Sequence, residues 1–476
     1  MAVNIFSTNL NEIDNDQFCR FDIDYLYFAK TVFNVNNRCL LKNYLTSLQT
    51  GQPISREDYS DEGKETNYVH LVVRNIKFGK LYFHNPIFIN DEKGEELESY
   101  KIRKGEIIIA ISANCGHTFY YEGNFPNVQL TLSHYLARIT IDETKLNAQL
   151  LVHYLNSETI QKYFRATETG KTQKNLSKVY IRELPILLPE KIDIQEKILE
   201  KLQPIEIEIS ELQKQIRPQT EVMNRLFEEA LQFDIEHFNQ LKQVRLYSLD
   251  LEDFASETDT RLGCRFHNKA GEFVEVFLKS KTNKRIKDFI SEPIVLGCSV
   301  SPSQYDEDGN YFYIAMSNIK NWQFEQDDCK CIGDEFYYQN IKKTIKCYDI
   351  LMARSGEGTI GKVAIILDEE QEGVFADFTM RIRLTGINPL FAYYYFRTEI
   401  FQHMVYTHKK GLGNNTNIFP SQVKNFPMPD FSDEKQNEIV QKVQLELKKQ
   451  KNIEVQILEK QKKISKIIEE AINQSS

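Results

Sequence analysis

Two regimes of apolar spacing alternate along the chain. Short runs such as Tyr68–Val73 and Lys362–Leu367 stand between Gly-punctuated segments and predict strands joined by turns. Stretches such as Leu150–Leu155 and Leu390–Phe396 follow, and they predict helices. After Pro189, and again after Pro429, the sequence passes into charged segments almost free of Gly. In the first of these, Ile198, Leu202, Ile205, Ile209, Leu212 and Ile216 recur at spacings of four and three, one seam of a helix. Met223, Leu226, Ala230 and Phe233 continue that phase, while Pro204 and Pro218 predict kinks or a break. The second segment carries Ile453, Ile457, Ile464, Ile467 and Ala471, with Glu446 and Gln450 interrupting it nearer its start.

This order of parts occurs twice. Asn75-Ile76-Lys77 and Asn318-Ile319-Lys320 stand 318 − 75 = 243 positions apart, each after an apolar-rich run. The same offset carries Glu106-Ile107 onto Asp349-Ile350, and Gly170 onto Gly413. Neighbouring offsets connect Arg20-Phe21 with Arg261-Leu262, Leu184–Pro189 with Phe426–Pro429, and Gln195 with Gln436. Collinearity argues for duplication where any single match would be chance. The fold class expected is α+β: two mixed α/β domains in tandem, separated by two long helices that form an antiparallel coiled coil. A helix of about 40 residues rises about 60 Å, and its natural partner is the other helix.

Length supports more than one core, because 476 residues exceed an ordinary domain. An apolar fraction of 41% and an aromatic fraction of 12% suit globular packing rather than disorder. The start of the chain has no leader pattern and no window approaches a membrane span, so a cytoplasmic protein without a membrane partner is expected. Eight scattered cysteines fit reduced thiols better than a disulfide framework. Cys329 and Cys331 lack a second ligand pair at zinc spacing, so no metal is expected. With 59 basic and 68 acidic residues the net charge is −9, so any nucleic-acid face must be local.

No catalytic residue is assigned. Gly356-Glu-Gly-Thr-Ile-Gly-Lys362 satisfies Gly-x-Gly-x-x-Gly, but the apolar run Val363–Leu367 follows where a phosphate loop would open a helix. The expected structure there is a hairpin turn. The chain shows no Asn- or Asp-Pro-Pro-aromatic motif for methylating a base. Asp430 with Asp433-Glu-Lys435 is too compressed for a nuclease metal site.

Basic, amide-rich segments close each half. The first holds Lys162, Arg165, Lys171, Lys174, Lys178 and Arg182 around Gly170, Thr172, Gln173 and Asn175. The second holds Lys409, Lys410 and Lys424 around Gly411, Gly413, Asn414, Asn415 and Asn417. Lys and Arg reach phosphate or guanine, and Asn and Gln can pair with adenine. The candidate DNA-contacting set is Lys171, Thr172, Gln173, Lys174, Asn175, Arg354, Ser355, Lys409, Lys410, Asn414, Asn415 and Asn417.

The strand-turn Tyr348–Ala364, Gly413 leading to Phe426–Pro429 and Gln436, and their earlier counterparts Gly170, Leu184–Pro189 and Gln195 resemble the specificity subunit of type I restriction-modification systems. The turn at Ser112–His117 departs from the second half's Gly-Lys-Val-Ala pattern. The resemblance implies target-recognition domains at 1–190 and 241–430, with helical spacers at 191–240 and 431–476. It implies that each domain reads half of a split site on double-stranded DNA. Methyltransferase (M) subunits would bind the spacers, and a restriction/translocase (R) subunit would join them. S-adenosylmethionine, ATP and Mg would then belong to those partners, with no cofactor in this chain. A coiled-coil protein-binding scaffold and a nuclease with dispersed metal ligands stay open as other readings.

Overall fold

The computed structural model describes residues 39–60, 65–77, 79–81, 86–125, 127–170, 174–250, 261, 263–327, 329–356, 358–411 and 415–474. The match of Arg20-Phe21 to Arg261-Leu262, apart from Arg261 itself, lies outside them. The chain divides into two compact units, Met1–Lys214 with Glu454–Ser476, and Gln215–Ile453.

In the first unit a four-stranded antiparallel sheet runs in the order Leu45–Thr50, Leu136–Ile141, Ile107–Ala110, Thr118–Tyr120. Side chains on successive strand residues point to opposite faces. Ile107 and Ile109 therefore join the core under the helices, while Ile108 and Ala110 join a second core on the other face. Both faces being covered is why Ile107–Ala110 is apolar without alternation. The second core is closed by a three-stranded sheet, Ile87–Phe88, Tyr68–Leu71, Gln129–Leu132, whose last two strands are parallel. Helices Ala148–Leu155 and Glu158–Thr167 start where Asn147 and Ser157 accept backbone N–H groups that the first turn leaves unpaired.

The second unit repeats this plan. Its four-stranded sheet runs Val295–Leu296, Thr379–Ile382, Ile350–Ala353, Val363–Ile365, and its three-stranded sheet Lys330–Ile332, Tyr311–Ile314, Gly373–Phe375. Ile350 and Met352 face one core, Leu351 and Ala353 the other. Helices Pro389–Phe396 and Glu399–His408 are capped by Asn388 and Thr398. The duplication read from collinear motifs is thus a duplication of topology.

The buried polar bonds repeat as well. Arg138 donates to Lys101 O at 2.8 Å, and Arg381 to Thr344 O at 2.6 Å, both pairs shifted by 243 positions. Tyr154 and Tyr395 donate to Pro185 O and Pro427 O. Gln195 accepts from Asn147 N–H and donates to Pro189 O, while Gln436 accepts from Asn388 N–H and donates to Phe431 O. Each of these glutamines is buried in the first turns of a spacer helix.

The segment 191–240, expected as a spacer, holds helices Ile192–Gln215 and Gln219–Leu231 and the start of Ile235–Lys242, and the segment 431–476 holds Asp433–Gln474. In the first unit Leu199 and Leu202 share a core with Ile468, Ala471 and Ile472, and Glu208 further along pairs with Lys460 further back, so the two segments are antiparallel. In the second unit Arg217 N–H donates to Gln450 and Arg225 lies 3.9 Å from Glu446, again antiparallel. Glu446 and Gln450, which interrupt the apolar seam in sequence, are therefore cross-helix partners.

The seam itself needs correction. Ile198, Leu202, Ile209 and Ile457 are buried, while Ile205, Leu212, Ile453, Ile464 and Ile467 are half-buried. Ile216 is exposed, because the helix ends at Gln215 and the next, Gln219–Leu231, begins after Pro218. Pro204 breaks nothing: the helix continues through it. Ile439, Val440, Val443, Ile468 and Ile472 are buried on the second spacer without having been singled out by spacing.

Candidate nucleic-acid interface

At one end of each four-stranded sheet three segments meet. In the first unit Ile111 donates its N–H to Tyr135 O at 2.9 Å and accepts from Leu176 N–H at 2.8 Å. In the second, Arg354 donates to Phe378 O at 3.0 Å and accepts from Ile418 N–H at 2.9 Å. Residues 111 and 354 close the central strand, 135 and 378 lie in the tight turn entering the next strand, and 176 and 418 follow the amide-rich loop. The chain therefore ties that loop to the sheet by backbone bonds, whatever side chains it carries.

The loop is a small hairpin in both units. Thr169 pairs with Asn175, and Lys410 with Asn417. Gly170 and Gly411, each at φ 102, turn the chain there. Gly170 therefore corresponds to Gly411, and not to Gly413 as a constant offset of 243 requires. A connection two residues longer in the first half, before the Asn147 cap, moves the offset to 241. Asn175 in turn pairs with Ser112, and Asn417 with Ser355.

The turn that departs in sequence does the same work in structure. Gly116 O accepts from Gln161 Nε2 at 2.9 Å, and Gly361 O from Gln402 Nε2 at 2.8 Å. Both glycines have positive φ and sit too close to the second helix for a Cβ, which would lie 2.2 Å from Phe164 or 2.7 Å from Gln402 Oε1. Gly116-His117-Thr118 thus takes the place of Gly361-Lys362-Val363. In the second unit the Gly-rich sequence joins two antiparallel strands, Met352 pairing with Val363, as expected for a hairpin turn.

Arg354 is held from three sides. Its Nε donates to Asp377 O at 2.8 Å, its Nη1 to Asn417 Oδ1 at 3.2 Å, and its guanidinium stands 5.4 Å from the Phe378 ring centre. Arg354, Ser355, Lys410 and Asn417 are accordingly one cluster, and Asn415 is exposed beside it. In the first unit Lys174 and Asn175 are exposed, with Lys174 Nζ 3.3 Å from Glu168. Lys171, Thr172, Gln173 and Asn414 lie outside the described residues. Lys409 is 3% exposed, its ammonium 5.2 Å from the Tyr406 ring centre. Its neighbour Lys410 is half-buried and pairs with Asn417 through the backbone.

Exposed cations flank the first hairpin, at Lys162, Arg165, Lys178 and Arg182, and Lys424 lies beyond the second. Burial, followed by the Glu168 carboxylate, pushes the Cys115 thiol up to about 11, so this turn cysteine stays protonated and unreactive. Among the described residues no group of three or more His, Cys, Asp or Glu side chains could hold a metal ion. No described helix is long and apolar enough to cross a membrane. Spacing missed Ile111, Tyr135, Asp377 and Phe378, because backbone pairing brings them to the hairpin. Large aromatics at turn positions were the available signal.

Residues 45–221 match the family described as the Type I restriction modification DNA specificity domain. No curated protein matches the chain. Solved structures similar to it include a chain of a type I R-M system described for its complex assembly and conformational transition, at 13% identity and TM-score 0.43, covering 92% of this chain and 97% of that one. The type I restriction-modification S subunit from M. genitalium is 13% identical with TM-score 0.33, covering 91% and 96%. The HsdS subunit from Thermoanaerobacter tengcongensis is 12% identical with TM-score 0.28, covering 92% and 96%.

Proposed function

We propose that this chain, which carries a type I restriction modification DNA specificity domain over residues 45–221, is the specificity subunit of a type I restriction-modification complex and reads a bipartite site on double-stranded DNA. The observation that carries the extension to residues beyond 221 is the repeat. The second unit has the same strand order, the same caps, the same buried Arg and Gln bonds, and the same hairpin tied to the same strand end.

Each junction offers what duplex reading requires. Lys174 in the first unit and Lys410 in the second unit contact phosphate, and Asn175 and Asn417, joined by Arg354 in the second unit alone, face base edges. Because Ile111 stands where Arg354 does, the two junctions read different bases, and the site is asymmetric. The buried Gln195 and Gln436 fix the start of each spacer helix to its own domain. On this reading methyltransferase subunits dock on the spacers and a restriction subunit completes the complex. S-adenosylmethionine, ATP and Mg serve those partners in the cytoplasm, and this chain is not itself an enzyme.

Titrating a pool of duplex DNA with the purified chain across a salt series tests this. The expected affinity falls linearly in log salt, and Ala at Lys174, and separately at Lys410, lowers the slope by about 1 each. Salt-insensitive capture of a protein partner without DNA affinity would establish the scaffold reading instead. Metal-dependent cutting by the chain alone would establish the nuclease reading.

A further inference from the structure

The turn that enters one of the two inner strands of each four-stranded sheet is closed by the same bond in both units, Leu136 N–H to Ser133 O and Thr379 N–H to Ala376 O, each at 2.9 Å. Its third position holds Tyr135 in the first unit and Phe378 in the second. Gly, Asn, Asp and Ser dominate turns, because they supply unusual φ angles or local side-chain bonds. A large aromatic supplies neither, yet both units place one there.

Nor does packing explain it. Ser133 and Leu136, Ala376 and Thr379 are all buried, whereas Tyr135 is 37% and Phe378 47% exposed. The aromatic carbonyls bond to residues 111 and 354, so each ring is anchored beside the hairpin carrying Asn175 or Asn417. Tyr135 lies against the His134 ring, centroids 3.8 Å apart, and Phe378 lies near the Arg354 guanidinium. The surroundings differ while the aromatic position is kept. An aromatic ring held on a turn at the edge of a polar hairpin suits apolar contact with a thymine methyl or wedging against a base step.

We infer that Tyr135 and Phe378 are paired base-contacting residues, one for each half of the DNA site. Tyr135 acts beside the His134 ring and Phe378 as part of a unit with Arg354. This rests on the DNA-reading function proposed above and adds to it the residues that carry half-site preference. Phosphate contacts set affinity and its salt dependence, whereas these rings set base choice, so their loss leaves the salt slope unchanged.

The test is selection from a pool of randomised duplexes with the full-length chain, Tyr135→Ala, Phe378→Ala and the conservative Tyr135→Phe. The expected wild-type motif is split. Tyr135→Ala relaxes one half, with a roughly 5- to 150-fold loss of preference at one or two positions, corresponding to about 1–3 kcal/mol per base contact. Phe378→Ala relaxes the other half alone, and Tyr135→Phe retains the wild-type preference. The unaltered half in each variant reports that the protein is folded. Variants that return the wild-type motif in both halves overturn the inference while leaving the DNA-reading function standing. A wild-type chain that returns no motif overturns the function, and the inference with it.

Discussion

The two units share a scaffold and differ at one end of it. Bonds that fix the sheet and helices are repeated nearly atom for atom: Arg138 and Arg381 to equivalent carbonyls, Gln161 and Gln402 to Gly116 and Gly361, Gln195 and Gln436 to the caps Asn147 and Asn388 of an earlier helix. At the junction the equivalents diverge, with Ile111 for Arg354, His134 for Asp377 and Tyr135 for Phe378. Backbone bonds hold the junction together, so its side chains are free to vary without cost to the fold. On the proposed function, duplication followed by divergence at that end gives two readers of different targets from one architecture.

The comparison breaks most visibly if the buried scaffold is not equivalent. Tyr154 and Tyr395 are fully buried and bonded alike. Their Ala variants are each expected to destabilise their own unit by on the order of 3–5 kcal/mol, the cost of truncating a large buried aromatic. Hydrogen exchange resolved by half should show protection lost in the mutated unit alone. Loss in both units, or in neither, would refute independent, equivalent cores.

Acid comes next. Burial lowers His70 in the first unit and His403 in the second, each to about 4. Both are neutral in the folded and unfolded chain above the ordinary value near 6.5, where their full contribution is present. As pH falls from about 6.5 towards 4 the unfolded chain binds the proton and the folded one does not, so stability drops. For the buried His70 the loss approaches about 3 kcal/mol. Urea unfolding between pH 7 and 4.5 should therefore show falling stability, and His70→Gln should flatten the first unit's share of it.

A smaller effect attaches to the glutamine locks. Gln195→Ala or Gln436→Ala leaves the Asn147 or Asn388 N–H without its partner, an expected loss of about 1–3 kcal/mol in the corresponding unit. Equal losses sharpen the equivalence; a loss at only one position would show that one spacer helix is held by other means. The smallest stability change, with the clearest effect on binding, is expected at the junction. Arg354→Ala should weaken DNA binding by about 1–3 kcal/mol, while Ile111→Ala leaves the salt slope untouched.

Much of this architecture was legible in sequence because duplication samples the same physics twice. Strand Ile107–Ala110 and its copy Ile350–Ala353 stand in register with buried Glu106 and Asp349, each of which accepts a backbone N–H three residues before it. The hairpin turn at Gly356–Lys362 was readable because a strand follows it. Where insertions fall, the constant offset failed, and Gly170 was matched to Gly413 instead of Gly411. The spacer seam was half legible: period identifies Leu202 and Ile209, but Ile468 and Ile472 are buried by a domain packed against the helix, which helix period alone does not encode. Burial of Lys409 beside the half-buried hairpin residue Lys410 was hidden, because Lys409 caps helix Glu399–His408 in a stretch that sequence alone read as a loop. Tyr135 and Phe378 were missed because the residues they bond come from segments about 25 to 40 residues away in the chain, and only their size at a turn position marks them.

On the proposed function, this chain gives an otherwise undirected methyltransferase a split, asymmetric address. The direct measurement is methylation mapping of genomic DNA from cells carrying the chain with its methyltransferase partner, against cells carrying that partner alone. The expected result is adenine methylation at a motif of two unlike halves separated by unspecified bases, present only with the chain. An active partner that yields no chain-dependent motif, or a motif of two identical halves, would contradict the account.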